Sequence, residues 1–364
     1  MSLTSALLRS RAVAALASPH GVDRYLELVN PMWAAREVRA RVVDVRRETD
    51  GEHPVATITL QPTSTWRGHR AGQYVQVGIE VPGARRTTRC FTISSAASAP
   101  GERFTLTVRA HAEGLVSRFL VEQAQPGFLV HLSQAQGDFC LDESPATPTN
   151  NHLLFITGGS GVTPAMSMVR TLLRDGYDGH AGRKVTFLHY ARGPEDQIFA
   201  DELAEIAAAD NGVRVVLRHE SAGDPLFSAI DLAREVPNFR EVDTWVCGPA
   251  GLMERVETAY DGSPRLRLER FKPPVVTAGT AEGDVVFSRS GEQAPNSGAS
   301  LLEQAEAAGL RPEFGCRMGI CFSCTARKSE GTVRNVLTGE ESSLPDEEVR
   351  ICVSAPVGDC VVDL

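Results

Sequence analysis

A chain of 364 residues with 42% hydrophobic content and Gly and Pro spread throughout is too long for one ordinary core and too apolar for disorder, so two or three globular domains are expected. No stretch approaches about 18 consecutive apolar residues, which argues against a membrane span. The formal charge of −9 argues against a nucleic-acid partner, and eight cysteines are too sparse for a disulfide-stapled secreted domain, which points to a reducing cytoplasm.

Residues 1–39 read as a helical arm. Up to His20 there is no acidic residue, only Arg9 and Arg11 among small and apolar ones. The run Ala12 to Ala17 is short and weakly hydrophobic for a secretory leader, and Ser18-Pro19 ends it. A second short helix is expected through Val22 to Val29, ending near Asn30-Pro31. The arm either packs on the domain that follows or, through residues 1–20, touches a membrane or a membrane-bound partner.

Residues 40–148 alternate as short strands at 40–45, 55–60, 74–79, 104–108 and 129–132 with Gly and Pro between them, the pattern of an antiparallel barrel. Two motifs stand out: Arg89-Cys90-Phe91-Thr92-Ile93-Ser94-Ser95, and Gly114-Leu115-Val116-Ser117-Arg118. The second reads as the start of a short helix, whose first backbone N–H groups have no helical acceptor and suit a diphosphate.

After Pro145 to Asn150, a linker by composition, residues 149–272 switch to β/α alternation. The apolar strand Leu153 to Thr157 runs into Gly158-Gly159-Ser160-Gly161-Val162-Thr163-Pro164 and a helix, with Thr163 expected as its N-cap and Pro164 at its first position. A buried strand, Gly-rich turn and helix together form an anion site. Strands at 184–190 and 213–217 and a helix over 196–209 continue the alternation, and Thr244 to Cys247, expected as the last strand, leads into Gly248-Pro249. Residues 273–280, after Lys272, begin with Pro and read as an extended linker.

In residues 281–364, Cys316, Cys321 and Cys324 form C-x4-C-x2-C and Cys352 follows 28 positions later. This is the plant-type ligand spacing for a 2Fe-2S cluster. A structural zinc site is the alternative for four cysteines, but zinc sites usually present two C-x2-C knuckles and this chain has one. The segment holds 14 Asp/Glu against 7 Lys/Arg, a net −7, which would steer it to a basic partner or simply keep it soluble.

These motifs together resemble the ferredoxin-NADP(+) reductase superfamily, in its version with a C-terminal plant-type ferredoxin domain, over roughly residues 38–364. The resemblance implies a multidomain fold: an antiparallel β-barrel FAD domain, an α/β parallel-sheet NAD(P) domain and a β-grasp ferredoxin domain. It implies that Arg89 neutralises the FAD diphosphate, Phe91 stacks on the isoalloxazine, and Thr92, with Ile93 beside it, lies near flavin N5. Phe91 stands where the family's R-x-Y-S/T motif has Tyr, which keeps stacking area and loses a hydroxyl. By the same resemblance, Gly114, Leu115, Val116 and Ser117 hold the diphosphate, and Gly158, Gly159, Gly161, Thr163 and Pro164 hold the nucleotide. Cys247, Gly248 and Pro249 match the C-G-P motif, whose Cys positions the nicotinamide for hydride transfer. Arg192 stands where the adenosine ribose is read and favours the 2′-phosphate of NADPH over NADH; Arg218 is a second candidate cation. Glu269-Arg270-Phe271 matches an acidic residue followed by an aromatic near the flavin.

The expected activity is that of an NAD(P)H-dependent reductase that accepts hydride and passes single electrons, through a cluster near about −400 mV, to a terminal oxygenase. The arm points first to a membrane fatty acyl-CoA desaturase. The reductase of a soluble ketosteroid or phenylacetyl-CoA hydroxylase is the alternative acceptor system, and a slow redox sensor is the reading from another class.

Overall fold

The computed structural model describes residues 22–79, 87–112, 114–141, 151–175, 184–271, 281–315, 317, 319 and 322–364. The chain divides into two compact units, Met1–Glu269 and Arg270–Leu364. Residues 1–20 and both expected linkers, 145–150 and 273–280, lie outside the described residues.

The first unit opens with helix α1 (Val22–Val29), over the range expected from the sequence. Its Asp23 is buried, and its carboxylate accepts the backbone N–H groups of Arg36 and Glu37, both at 3.1 Å, so this helix is fastened to the start of the barrel. Six strands follow: β1 (Val38–Thr49), β2 (Val55–Pro62), β3 (Tyr74–Ile79), β4 (Thr87–Thr92), β5 (Phe104–Arg109) and β6 (Leu129–Leu132). They pair antiparallel in the order β4-β3-β6-β1-β2-β5, and an Ile93–Leu106 bridge joins the two edges into a barrel. Branched and aromatic residues at alternate positions supply the interior, with Val42, Ile58, Leu60, Val75, Val77 and Phe104 all at 1% exposure or less.

The second half of this unit is a fully parallel sheet of β7 (His152–Gly158), β8 (Lys184–Ala191), β9 (Val213–His219), β10 (Asp243–Cys247) and β11 (Leu266–Glu269), in the order β11-β10-β7-β8-β9. Leu153, Phe155 and Ile156 on central β7 are fully buried, as a strand covered on both faces must be. Two expectations are corrected. Thr244 to Cys247 is not the last strand, because Leu266–Glu269 adds parallel to it. The helix expected from 196 begins only at Ala200, because Phe199 ahead of it takes φ 59, which breaks the helical path.

Strand order reverses between β7 and β10, so their C-terminal ends leave a crevice at the sheet's topological switch point. The helix after β7, α3 (Val162–Arg174, with α2 at Leu115–Arg118), is bonded to the barrel segment that follows β4. Ser167 Oγ donates to Ser95 O at 2.6 Å, Arg170 Nη1 to Ser94 O at 2.5 Å, and Ala97 N to Thr171 Oγ1 at 2.9 Å.

The second unit is a mixed sheet of β12 (Asp284–Phe287), β13 (Glu292–Pro295), β14 (Thr325–Asn335), β15 (Glu341–Ser342), β16 (Glu347–Arg350) and β17 (Ser354–Val362). Parallel β12 and β17 lie at its centre, and a helix at Leu301–Ala307 contributes Leu301, Leu302 and Ala305 to the core. A capping box of Ser300 and Glu303 starts that helix.

Candidate functional site

Strand β4 carries the first motif to the barrel's edge. Arg89, Cys90 and Phe91 are half-buried, with Phe91 packed against the barrel core, and Thr92 is 6% exposed. Ile93 is fully buried in the core, and its backbone N–H donates to Gln73 O at 2.9 Å. Nearby, Gly114 precedes α2, and its N–H donates to His111 O at 2.9 Å. A Cβ on Gly114 would lie 2.3 Å from Ser117 Oγ, so a side chain there would displace that hydroxyl. Ser117 Oγ donates to Gly114 O, Val116 is in the core, and Leu115 is exposed. The first-turn amides of this helix are the donors a diphosphate needs.

The Gly-rich turn after β7, read from the sequence as the phosphate turn, is built by close backbone approach. A Cβ on Gly161 would come within 2.2 Å of Cys247 O, and one on Gly158 within 2.8 Å of Pro249 Cδ. Gly159 has φ +52. Only glycines let the turn after β7 lie against Cys247-Gly248-Pro249. The expected cap is corrected: a 3₁₀ turn at Gly159–Gly161 runs straight into the helix, so Gly161 is the N-cap and Thr163 and Pro164 fall inside the first turn. Thr163 Oγ1 donates back to Ser160 O at 3.1 Å, and Pro164 sits where no N–H is required.

Arg109, at the end of β5, was not singled out from the sequence. Its Nη1 lies 3.3 Å from where a Gly159 Cβ would be, its ion pair with Asp196 spans 3.9 Å, and its buried Nε has no hydrogen-bond partner among the described residues. Burial lowers its pKa, with Asp196 opposing. A half-buried guanidinium with an unused donor beside a phosphate turn fits an anionic ligand. Arg192, by contrast, is exposed at the end of β8, 3.8 Å from Glu52. Arg218, the other candidate cation, is engaged by Glu235 at 2.9 Å.

Three groups converge where the barrel meets the nucleotide crevice. Cys247 and Glu269 are register partners on β10 and β11, and the Thr92 hydroxyl donates to the Glu269 carboxyl. Glu269 Oε2 is closed off from solvent with no hydrogen-bond partner among the described residues. Burial pushes this carboxyl up to about 8, against the lowering effect of Thr92, so it is neutral at pH 7. Burial, and then Glu269, raise the Cys247 thiol well above its ordinary value. The site therefore presents a thiol, a hydroxyl and a protonated carboxyl, without net charge. An orphaned carboxyl oxygen beside a stacking aromatic strand fits a planar ligand with hydrogen-bonding edges, such as a flavin or nicotinamide. A strand after Cys247 was the missing signal: Glu269 could be aligned by resemblance but not placed.

Within the second unit, Cys324 and Cys352 are buried neighbours, since Ile351 N donates to Cys324 O at 3.1 Å. Cys316 and Cys321 lie outside the described residues. Arg317, Gly319 and Phe322 all have positive φ, so the loop curls tightly, and a Gly319 Cβ would meet Val353 at 2.7 Å. Arg350 ties the loop down, with its guanidinium 5.0 Å over the Phe322 ring and Nη1 donating to Gly319 O. A buried pair of cysteines beside tightly turned backbone fits part of a cluster site with cysteine ligands. Phe271 is half-buried and belongs to this second unit.

These constellations define a pyridine-nucleotide-dependent oxidoreductase with flavin and iron–sulfur centres. The chain matches the Oxidoreductase NAD-binding domain family over residues 155–258 and the 2Fe-2S iron-sulfur cluster binding domain family over 287–357. It is 39% identical to an NADPH oxidoreductase of Mycobacterium tuberculosis, covering 97% of this chain and 91% of that protein. It is 27% identical, over 80% of this chain and 83% of the other, to the ferredoxin reductase component of 3-ketosteroid-9-alpha-monooxygenase of the same species. The solved phthalate dioxygenase reductase shares the fold with a TM-score of 0.59 at 22% identity, covering 90% of this chain and 98% of that one. The chain belongs to the ferredoxin-NADP(+) reductase family, in the branch with a C-terminal 2Fe-2S ferredoxin domain. No helix among the described residues is long and apolar enough to cross a membrane.

Proposed function

We propose that this chain is the reductase component of a multicomponent oxygenase, drawing hydride from NADPH and delivering single electrons to the oxygenase. The observation that carries it is the convergence of Thr92, Cys247 and Glu269 at the sheet's switch point, in a chain that also bears a cluster loop. In this reading Arg89, Phe91 and Thr92 grip an FAD whose diphosphate rests on the amides of Leu115 to Ser117. Gly158 to Gly161 and Arg109 receive the nucleotide diphosphate, and Cys247-Gly248-Pro249 aligns the nicotinamide. Bound flavin supplies the two-electron to one-electron conversion, and the residues named orient the rings, exclude water and keep the Glu269 proton in place. Cys316, Cys321, Cys324 and Cys352 hold the cluster.

The soluble-oxygenase acceptor takes precedence over the membrane desaturase first expected from the arm, because a relative aligned over 80% of this chain is named for a ketosteroid monooxygenase. NADPH is supported by Arg192 and by the name of the relative at 39% identity. The test is anaerobic titration with NADPH and with NADH, then turnover with cytochrome c and with a purified oxygenase component. Flavin and cluster absorbance should bleach together, and product should form only with the reductase present. Cytochrome c reduction that persists undiminished without the cluster would sink the proposed electron path.

A further inference from the structure

Helix α1 is mounted the wrong way round for a helix that merely packs. At 100° per residue, Asp23 and Glu27 share one side and Tyr25, Leu28 and Val29 the opposite side. A helix on a globular surface ordinarily turns its apolar side to the core. Here the polar side faces the barrel. Asp23 accepts backbone N–H groups from Ala35, Arg36 and Glu37. Arg39, 1% exposed, donates to Pro31 O at 2.9 Å and to Asp23 O at 3.3 Å, and it lies 3.7 Å from Glu27. This clamp fixes the roll of the helix: Val22 and Leu26 are half-buried, while Leu28 is 76% exposed, Val29 71% and, in the turn beyond, Trp33 52%.

The flanking sequence says what could cover that side. Residues 1–22 run directly into the helix and contain Arg9 and Arg11 but no Asp or Glu, although the whole chain carries −9. Aliphatic residues ended by a tryptophan, next to a cationic and acid-free stretch, match the acyl and headgroup layers of an anionic bilayer surface. We infer that the face formed by Leu28, Val29 and Trp33 docks this reductase peripherally on anionic phospholipid. The contact expected from residues 1–20 alone is thereby extended to a rigid, outward-facing patch. It is independent of the electron acceptor, so its failure would leave the reductase reading intact.

The full-length holoprotein is co-sedimented with vesicles of phosphatidylcholine alone and of phosphatidylcholine with phosphatidylglycerol. Trp66 and Trp245 are 1% exposed, so a blue shift in emission, and its quenching by brominated acyl chains, reports Trp33. Binding is expected on the anionic vesicles, weaker on the neutral ones. The double variant Leu28→Ser, Val29→Ser should lower the partition coefficient by about tenfold or more, since each side chain would otherwise bury its area in the acyl layer. A control, Leu226→Ser with Ile230→Ser, removes exposed apolar residues from the nucleotide half and should leave partitioning unchanged. Ferricyanide reduction by each variant confirms folding. Absence of wild-type binding, equal binding to neutral vesicles, or an unaffected double variant would each overturn the inference, the first leaving the patch to a protein partner.

Discussion

Glu269 and Cys247 stand beside each other on adjacent parallel strands, with the Glu269 carboxyl taking a hydrogen bond from Thr92 across the junction of barrel and nucleotide sheet. The carboxyl is neutral at pH 7 and ionises as pH passes about 8. Flavin reduction, followed by anaerobic stopped flow, should therefore fall above pH 8 as a negative charge develops in the site. Glu269→Gln should keep most of the rate at pH 7 and lose that alkaline limb. The same shift acts on stability. The folded state holds this proton more tightly than the unfolded chain, so the burial penalty is absent below about 4.5 and complete above 8. Glu269→Gln should gain on wild type in Tm mainly at alkaline pH.

Cys247 should be unreactive. Its thiol is 1% exposed and raised well above its ordinary pKa, so little thiolate forms at pH 8. Iodoacetamide followed by peptide mass spectrometry should label half-buried Cys90 well ahead of Cys247. Replacement by Ala should slow hydride transfer by on the order of tenfold while flavin stays bound, an effect of lost positioning.

Cys352→Ser should separate the two halves of the chemistry. The visible and EPR signals of the cluster should disappear, and reduction of the flavin by NADPH should persist, because every residue assigned to hydride transfer lies in the first unit.

The two arginines at the nucleotide site should behave differently. Arg192, exposed and assigned to the ribose in the proposed function, should on change to Ala lower the ratio of kcat/KM for NADPH over NADH by about tenfold or more. Arg109, facing the phosphate turn, should on change to Ala raise KM for both nucleotides alike. An unchanged ratio for Arg192→Ala would remove that residue from the specificity site.

Gly161→Ala should abolish nucleotide binding with flavin retained, because its Cβ would lie 2.2 Å from Cys247 O, where backbone meets backbone. Gly251→Ala, in the helix after Pro249 with open space around its Cβ, should be harmless or raise stability by up to about 1 kcal/mol.

Much of this was readable from the residues in order. The strands at 74–79 and 129–132 were bounded correctly because Gly, Pro and alternation mark their ends. The Gly-rich turn after β7 was readable because its glycines are local. What escaped notice depends on tertiary pairing. β11 is four half-buried residues without a strong periodic signature, and only its partner β10 makes it a strand and brings Glu269 beside Cys247. Arg109 ends an ordinary barrel strand, and its significance arises from Gly159, 50 positions away in the chain. The start of the helix at Ala200 was missed because Phe199 adopts a left-handed backbone that composition alone does not signal.

The bonds from Ser167, Arg170 and Thr171 to the segment Ser94 to Ala97 bind α3 to the stretch just past the flavin motif. Barrel and nucleotide sheet are therefore poor candidates for modular exchange. A chimera joined between barrel and nucleotide sheet would strip the partners from three side chains on one helix and expose carbonyls they now cover. A chimera joined at the boundary between Glu269 and Arg270 keeps that helix with its barrel.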